Sequence, residues 1–257
     1  MLFSIVPPLI LGVIPARYAS SRFPGKPLAS IAGKPMIQHV WERAVQASCL
    51  SEVLIATDDA RIAEAAAGFG ARVAMTRADH ESGTDRAAEA AAATDAEVIV
   101  NIQGDEPLID PAAIQTAVLT LLDDENCQMA TLKKRISRPE EIANPNVVKV
   151  VTSLDGRALY FSRSLLPYAR GQAFYFKHIG LYVYRRSLLL GYSRLCRGPL
   201  EAAERLEQLR ALENGISIRV AETDYETLGV DAPEDIAAAE AALASGLTSS
   251  SPLLHHG

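Results

Sequence analysis

Three short segments carry residues whose chemistry can be read from type and spacing. The first, Leu11 to Lys26 (LGVIPARYASSRFPGK), is an apolar run ending at Pro15. It opens into a polar loop with Ala16, Arg17, Ser20, Ser21, Arg22, Gly25 and Lys26. Three cations beside a run of backbone N–H groups make a cradle for a small anion such as a phosphate chain. The loop is not a Walker A motif, because Pro27 follows Gly25-Lys26, and no GxGxxG follows the apolar run. The second segment, Val98 to Pro107 (VIVNIQGDEP), ends an apolar run in Asn101, Gln103, Gly104, Asp105 and Glu106. Asp105 is placed to hold Mg²⁺ against nucleotide phosphates, since that ion takes one or two carboxylates and completes its shell with phosphate oxygens and water. The third, Thr227 to Asp235 (TLGVDAPED), offers Asp231 as a second metal ligand. Each segment also has a plainer reading: a solvated basic loop, an Asp capping a turn, or a helix cap, and for Asp235 the cap is preferred. One basic loop and two acidic strand ends together are the equipment for nucleotidyl transfer, where catalysis is mostly positioning and charge neutralisation.

These segments need a scaffold that brings strand ends together. Leu9 to Pro15 reads as a strand buried on both faces. Helix is predicted over Pro35 to Ala47, Asp59 to Gly68, Asp85 to Ala93 and Pro111 to Leu122, and strand over Glu52 to Ala56, Arg72 to Met75 and Glu97 to Ile102. Such alternation implies parallel βαβ units in a doubly wound, mostly parallel α/β sheet, whose ligands sit beyond the carboxyl ends of the strands. The second half is mixed. Val147 to Val151 and Ala158 to Phe161 flank Asp155-Gly156, a hairpin signal. Ile179 to Tyr184 and Ile216 to Ala221 read as strands, and Glu201 to Leu212 and Pro233 to Ala244 as helices.

The 257 residues, 49% of them hydrophobic, suffice for one core that needs no covalent staples. A net charge of −6 argues against a nucleic-acid partner, because the cations cluster over one short loop only. The three cysteines, Cys49, Cys127 and Cys196, are widely spaced and contain no CxxC, as expected of reduced thiols in a cytoplasmic protein. Met1 to Ala16 is largely apolar, but no Lys or Arg precedes the run and Pro7-Pro8 interrupts it, so a short extension (1–8) is expected rather than a signal peptide. No later stretch approaches the roughly 20 apolar residues of a membrane span. The Ser-rich end, 246–257, reads as a flexible tail.

Eight segments occur in order: IPARYASSRFPGKP, MTRADHESGTDR, VNIQGDEP, NPNVVKVV, LYFSRS, KHIGLYVY, LEQLR and GVDAPED. With them the chain resembles the 3-deoxy-manno-octulosonate cytidylyltransferases from about Leu9 to Leu243. The resemblance implies conversion of CTP and Kdo, an eight-carbon sugar acid, to CMP-Kdo and pyrophosphate for lipopolysaccharide synthesis. It implies a fold of the nucleotide-diphospho-sugar transferase type, with a smaller mixed hairpin subdomain that makes a homodimer. The 9–245 span would be one nucleotidyltransferase domain: 9–135 for CTP, 136–200 for sugar and dimer contacts, and 201–245 returning to the core sheet. Ala16, Arg17, Arg22 and Lys26 would hold the triphosphate, and Arg77, Ser82, Gly83 and Thr84 would lie near cytosine and ribose. Asp105 and Asp231 would bind Mg²⁺, and these two with Arg17 and Lys26 would form the catalytic group. Gln103, Arg163, His178, Glu207 and Gln208 would line the sugar-acid pocket. The stretch between Arg163 and His178 is shorter than the family's.

The sugar-site residues make physical sense. A buried carboxylate needs a cation, and Arg163 offers a bidentate fork. Gln103, Glu207 and Gln208 supply partners for hydroxyls. Adjacent helical residues point about 100° apart, so Glu207 and Gln208, within the Glu201 to Leu212 helix, reach one pocket only if it wraps the helix edge; without the resemblance they read as surface helix. His178 taken alone is an ordinary structural histidine. Related readings are an 8-amino-Kdo or a sialic-acid cytidylyltransferase, the latter differing at the phosphate loop. A non-catalytic nucleotide-sugar binder is a further alternative. A Rossmann dehydrogenase is disfavoured by the missing GxGxxG.

Overall fold

A computed structural model describes residues 8–19 and 23–245. Arg22 of the basic loop, residues 1–7 of the extension and the 246–257 tail lie outside the described residues. The elements in chain order are β1 (Ile10–Ala16), β2 (Ser30–Ile31), β3 (Lys34–Pro35), α1 (Met36–Ala44), β4 (Glu52–Thr57), α2 (Ala60–Gly68), β5 (Arg72–Met75), α3 (Gly83–Ala92), β6 (Val98–Asn101), α4 (Pro111–Leu122), β7 (Met129–Arg135), α5 (Pro139–Ile142), β8 (Lys149–Thr152), β9 (Ala158–Ser162), β10 (Phe176–Arg185), α6 (Arg186–Gly191), α7 (Pro199–Glu204), α8 (Gln208–Glu213), β11 (Ile218–Glu222) and α9 (Ile236–Ala244).

The main sheet runs β11-β7-β10-β6-β1-β4-β5. β5, β4, β1 and β6 are parallel, β10 pairs antiparallel with both β6 and β7, and β11 returns parallel to β7. The expected doubly wound, mostly parallel sheet is therefore present. Chain order reverses at β1, whose neighbours are β4 on one side and β6 on the other. Beyond the carboxyl ends of β1 and β6 a crevice opens, where the first two chemical segments emerge. Alternate residues of β1 feed opposite faces. Ile10, Ile14 and Ala16 join α1, α2 and α4 residues such as Val40, Ile62 and Val118 in one apolar layer. Leu11 and Val13 join Ala87, Ala90, Leu189 and Leu209 in the other.

Helix starts follow local chemistry. The side chains of Asp59, Ser82 and Asp110 accept from the N–H of Arg61, Asp85 and Ala112, respectively. The hairpin predicted around Asp155-Gly156 forms from β8 and β9, with Gly156 at φ 82. It joins the main sheet through the Lys149↔Lys177 pairing to β10, and a second small antiparallel sheet is formed by β2 and β3. Among the described residues no helix is long and apolar enough to cross a membrane.

Two expectations need correction. Strand β7 was not predicted: its second half, Lys133, Lys134 and Arg135, is charged and masks the buried Met129–Leu132 stretch. The predicted Glu201 to Leu212 helix is two helices, because Arg205 adopts a left-handed conformation (φ 52, ψ 48) that ends α7 before α8 begins at Gln208. The break is stapled by Arg210, whose Nε and Nη2 reach the Glu201 carboxylate at 2.9 and 2.6 Å. Smaller shifts are at ends: α1 stops at Ala44, and Pro233–Asp235 is a 3-10 turn preceding α9.

Candidate active site

Two adjoining clefts lie along the carboxyl ends of β1 and β6. The first, about 270 Å³, is lined by Ala16, Arg17 and Lys26 from the basic loop, Ser82 and Gly83 from the start of α3, and Gln103, Asp105 and Asp231. The close fit of its floor depends on Gly104: a Cβ there would stand 2.9 Å from the Pro15 carbonyl oxygen. Lys26 starts a 3-10 turn after Gly25, whose φ of 73 suits glycine. The Lys26 Nζ lies 2.7 Å from Asp105 Oδ2 and 3.5 Å from Asp231 Oδ1. The Val230 N–H donates to the Asp105 carbonyl at 2.9 Å, tying the two acidic loops together. Asp235 is the cap expected of it: its Oδ2 accepts from the N–H of Asp231 and Ala232.

Two carboxylates thus converge on one cation position. Among the described residues no group of three or more His, Cys, Asp or Glu side chains gathers around a common point. A divalent ion held here would need waters or substrate phosphates to complete its shell. That all-oxygen, two-carboxylate donor set fits Mg²⁺ better than zinc or a redox metal.

The second cleft, about 480 Å³, shares Gly83, Gln103 and Asp231 with the first and adds Thr84, Asn101, Arg163, His178, Tyr182, Glu207 and Gln208. The break at Arg205 explains how Glu207 and Gln208 share it, since both sit at the start of a separate short helix. The Glu207 carboxylate accepts from Ser82 Oγ at 3.2 Å and Thr84 Oγ1 at 3.1 Å, and its carbonyl accepts from the Tyr192 hydroxyl at 3.0 Å. Burial raises its pKa, against the opposing pull of Arg210. Arg163 is braced: its Nε donates to the Glu204 carbonyl at 2.9 Å and its Nη1 to the Pro145 carbonyl at 3.1 Å. Its own carbonyl accepts from Lys149, a fully buried lysine that also donates to the Asn144 and Val147 carbonyls. Burial pulls the Lys149 pKa down. Burial also lowers the pKa of His178, to about 3, so its ring is neutral. The Asn101 side-chain oxygen is buried without a protein partner, an acceptor facing no donor beside the cleft.

Most of the residues named from sequence come together here, with three exceptions. Arg22 lies outside the described residues. Arg77 is 69% exposed, beside Asp79 and Glu89, and lines a separate depression rather than the first cleft. Thr84 faces the second cleft instead of the first, because the first turn of α3 carries it inward toward Glu207. Sequence reasoning missed His80, Glu81 and Arg86, which line the first cleft. Arg86 is nearly buried and ion-paired with Asp58 at 2.9 Å. The Asp58-Asp59 pair just after β4 is the signal that charge gathers beyond that strand end. Glu106, next to Asp105, accepts from the Tyr225 hydroxyl at 2.7 Å, and burial with the neighbouring Asp105 charge pushes its pKa up to about 7.

The comparisons agree with this architecture. The family described as Cytidylyltransferase matches residues 11–218. A 3-deoxy-manno-octulosonate cytidylyltransferase of Solibacter usitatus (strain Ellin6076) is 64% identical over 234 residues, covering 90% of this chain and 93% of the relative. One from Geobacter metallireducens (strain ATCC 53774 / DSM 7210 / GS-15) is 56% identical, covering 88% and 94%. A solved CMP:2-keto-3-deoxy-manno-octonic acid synthetase complexed with CTP superposes with a TM-score of 0.89 at 48% identity, covering 93% of this chain and 100% of that one. With identity this high over nearly the whole length, the chain belongs to the 3-deoxy-manno-octulosonate cytidylyltransferase family.

Proposed function

We propose that the protein transfers the CMP group of CTP to Kdo, releasing pyrophosphate. The observation that carries this reading is the adjoining pair of clefts: one basic and acidic, suited to a metal-bound triphosphate, the other suited to a polyhydroxy acid, with Gln103 and Asp231 on their common border. In the proposed reaction the anomeric hydroxyl oxygen of the sugar attacks the α-phosphorus in line. The new P–O bond forms as the bond to the β-phosphate oxygen breaks, and the hydroxyl proton leaves to solvent. Arg17 and Lys26 neutralise the triphosphate, and Arg163 takes the sugar carboxylate with the N–H groups left over from its braces. Neutral His178, Glu207 and Gln208 orient the hydroxyls. Asp105 and Asp231 would hold Mg²⁺, which when bound offsets phosphate charge and lowers the pKa of the attacking hydroxyl.

Several finer points belong to the same proposal. The apolar side chains Leu154, Leu159, Leu165, Tyr168 and Phe174, exposed along the hairpin and the segment after it, support a homodimer through that face. The three free cysteines support a reducing, cytoplasmic location, and CMP-Kdo is a donor for lipopolysaccharide synthesis. The test is pyrophosphate release by the purified protein with Mg²⁺ and CTP, adding Kdo, 8-amino-Kdo or N-acetylneuraminate in parallel. Release with Kdo is expected. Release with one of the other acids only would change the sugar, and none with any acid, from folded protein that binds CTP, would refute the reaction.

A further inference from the structure

Strand β10 does not pair evenly with β7. The register steps from Ile179↔Leu132 to Val183↔Ala130, leaving Gly180, Leu181 and Tyr182 opposite Thr131 alone. A bulge of this kind strips carbonyls of their ladder partners, and buried carbonyls need replacements. Thr131, itself fully buried, supplies one: its Oγ1 lies 2.8 Å from the Leu181 carbonyl oxygen and 3.1 Å from that of Ile179. The same Oγ1 lies 2.9 Å from His178 Nε2.

A hydroxyl carries one hydrogen and two lone pairs. Carbonyl oxygens only accept, so two of them against one hydroxyl oxygen repel unless that hydrogen points between them or at one of them. None is left for the histidine, and the contact at Nε2 is attractive only if the ring donates. The ring plane is restrained by Phe161, edge-on at 5.0 Å and 79°, and by Tyr182 at 5.4 Å.

We infer that Thr131 is a positioning residue that holds neutral His178 with its hydrogen on Nε2, leaving Nδ1 as an acceptor for a hydroxyl of the sugar acid. The sugar part rests on the reading of the second cleft given above. A bare ring nitrogen accepts a hydrogen and offers none, so this wall of the cleft selects a hydroxyl over an ether or carbonyl oxygen at the same place. The lowered pKa of this half-buried ring keeps the arrangement through the neutral range.

The tautomer is read directly by nitrogen NMR of protein labelled with ¹⁵N-histidine. The chain has five histidines, and His178→Asn identifies the resonance by its loss. The expected result is a protonated Nε2 and an unprotonated Nδ1 in the wild type; a protonated Nδ1 overturns the inference without any further variant. Thr131→Val, nearly isosteric, is expected to disturb the tautomer and raise the KM for the sugar acid about 2- to 13-fold, the span of one neutral hydrogen bond. The KM for CTP should stay within about twofold, and Thr131→Ser should restore both readouts. Equal rises in both KM values, or failure of the serine to rescue, would show a merely structural threonine. Failure of the functional reading looks different: wild type releases no pyrophosphate with any acid while the ring still reports the Nε2–H form. That outcome overturns the sugar-binding role and supports the tautomer assignment.

Discussion

Replacing Asp105 by Asn should separate catalysis from stability more cleanly than any other change in this site. The carboxylate lies 2.7 Å from the Lys26 ammonium, with side-chain exposures of 34% and 17%. A unit charge pair at that distance is worth about 1.5 kcal/mol in bulk water and about 6 kcal/mol at an effective dielectric near 20. Partial exposure puts the real value toward the lower figure, and the amide oxygen of Asn can still accept from Lys26. Asp231, 3.5 Å from the same nitrogen, remains to balance its charge. The loss of folding stability should therefore stay within about 1 kcal/mol, as for other exposed ion pairs. Turnover should behave otherwise. If Asp105 is one of two carboxylates holding the metal against the triphosphate, its neutralisation removes a strong electrostatic contact, which costs about 10²–10³-fold in kcat. The assay is pyrophosphate release at saturating CTP and Kdo over a range of Mg²⁺, beside urea unfolding of both proteins. Turnover within about tenfold of wild type, from protein of unchanged stability, would refute the role given to Asp105.

Three further outcomes follow from the same geometry. Arg163→Ala should raise the KM for the sugar about 10- to 100-fold, the range of one charge-assisted contact, with little change for CTP; equal effects on both substrates would sink its assignment. Lys149→Met leaves three backbone carbonyls without their donor and should cost about 2–4 kcal/mol in urea unfolding, whereas a loss below about 1 kcal/mol would show that water replaces the ammonium. Glu106 has a folded pKa raised to about 7, so between about pH 4.5 and 7 the folded state binds more protons than the unfolded one. Its effect is a loss of stability as pH rises through that window, of about 1–3 kcal/mol. Without metal, Glu106→Gln should melt above wild type at pH 8 and match it near pH 4.5, and parallel curves would contradict the shift.

The sequence by itself determined the first half of the fold and the charged residues of the first cleft. Apolar strand runs alternating with capped helices admit few arrangements besides a doubly wound sheet, and the ends of β1 and β6 necessarily share one crevice. Residues such as Lys26 and Asp105 were legible because their types and places, at strand ends, point to charge chemistry whatever surrounds them. The residues of the second cleft were named through resemblance, and their geometry was decided only by tertiary structure. No local pattern marks Arg205 as left-handed, yet that one backbone angle splits the predicted helix and brings Glu207 and Gln208 to one cleft. Strand β7 was hidden because its charged second half obscured the apolar alternation, while its burial comes from the apolar layers on the two sheet faces, one joined by Ala130 and Leu132 and the other by Met129. Thr131 lies on that strand. A hydroxyl whose partners are a bulged strand's carbonyls and a ring 47 residues away leaves no trace in local sequence, because those contacts exist only once the sheet has closed.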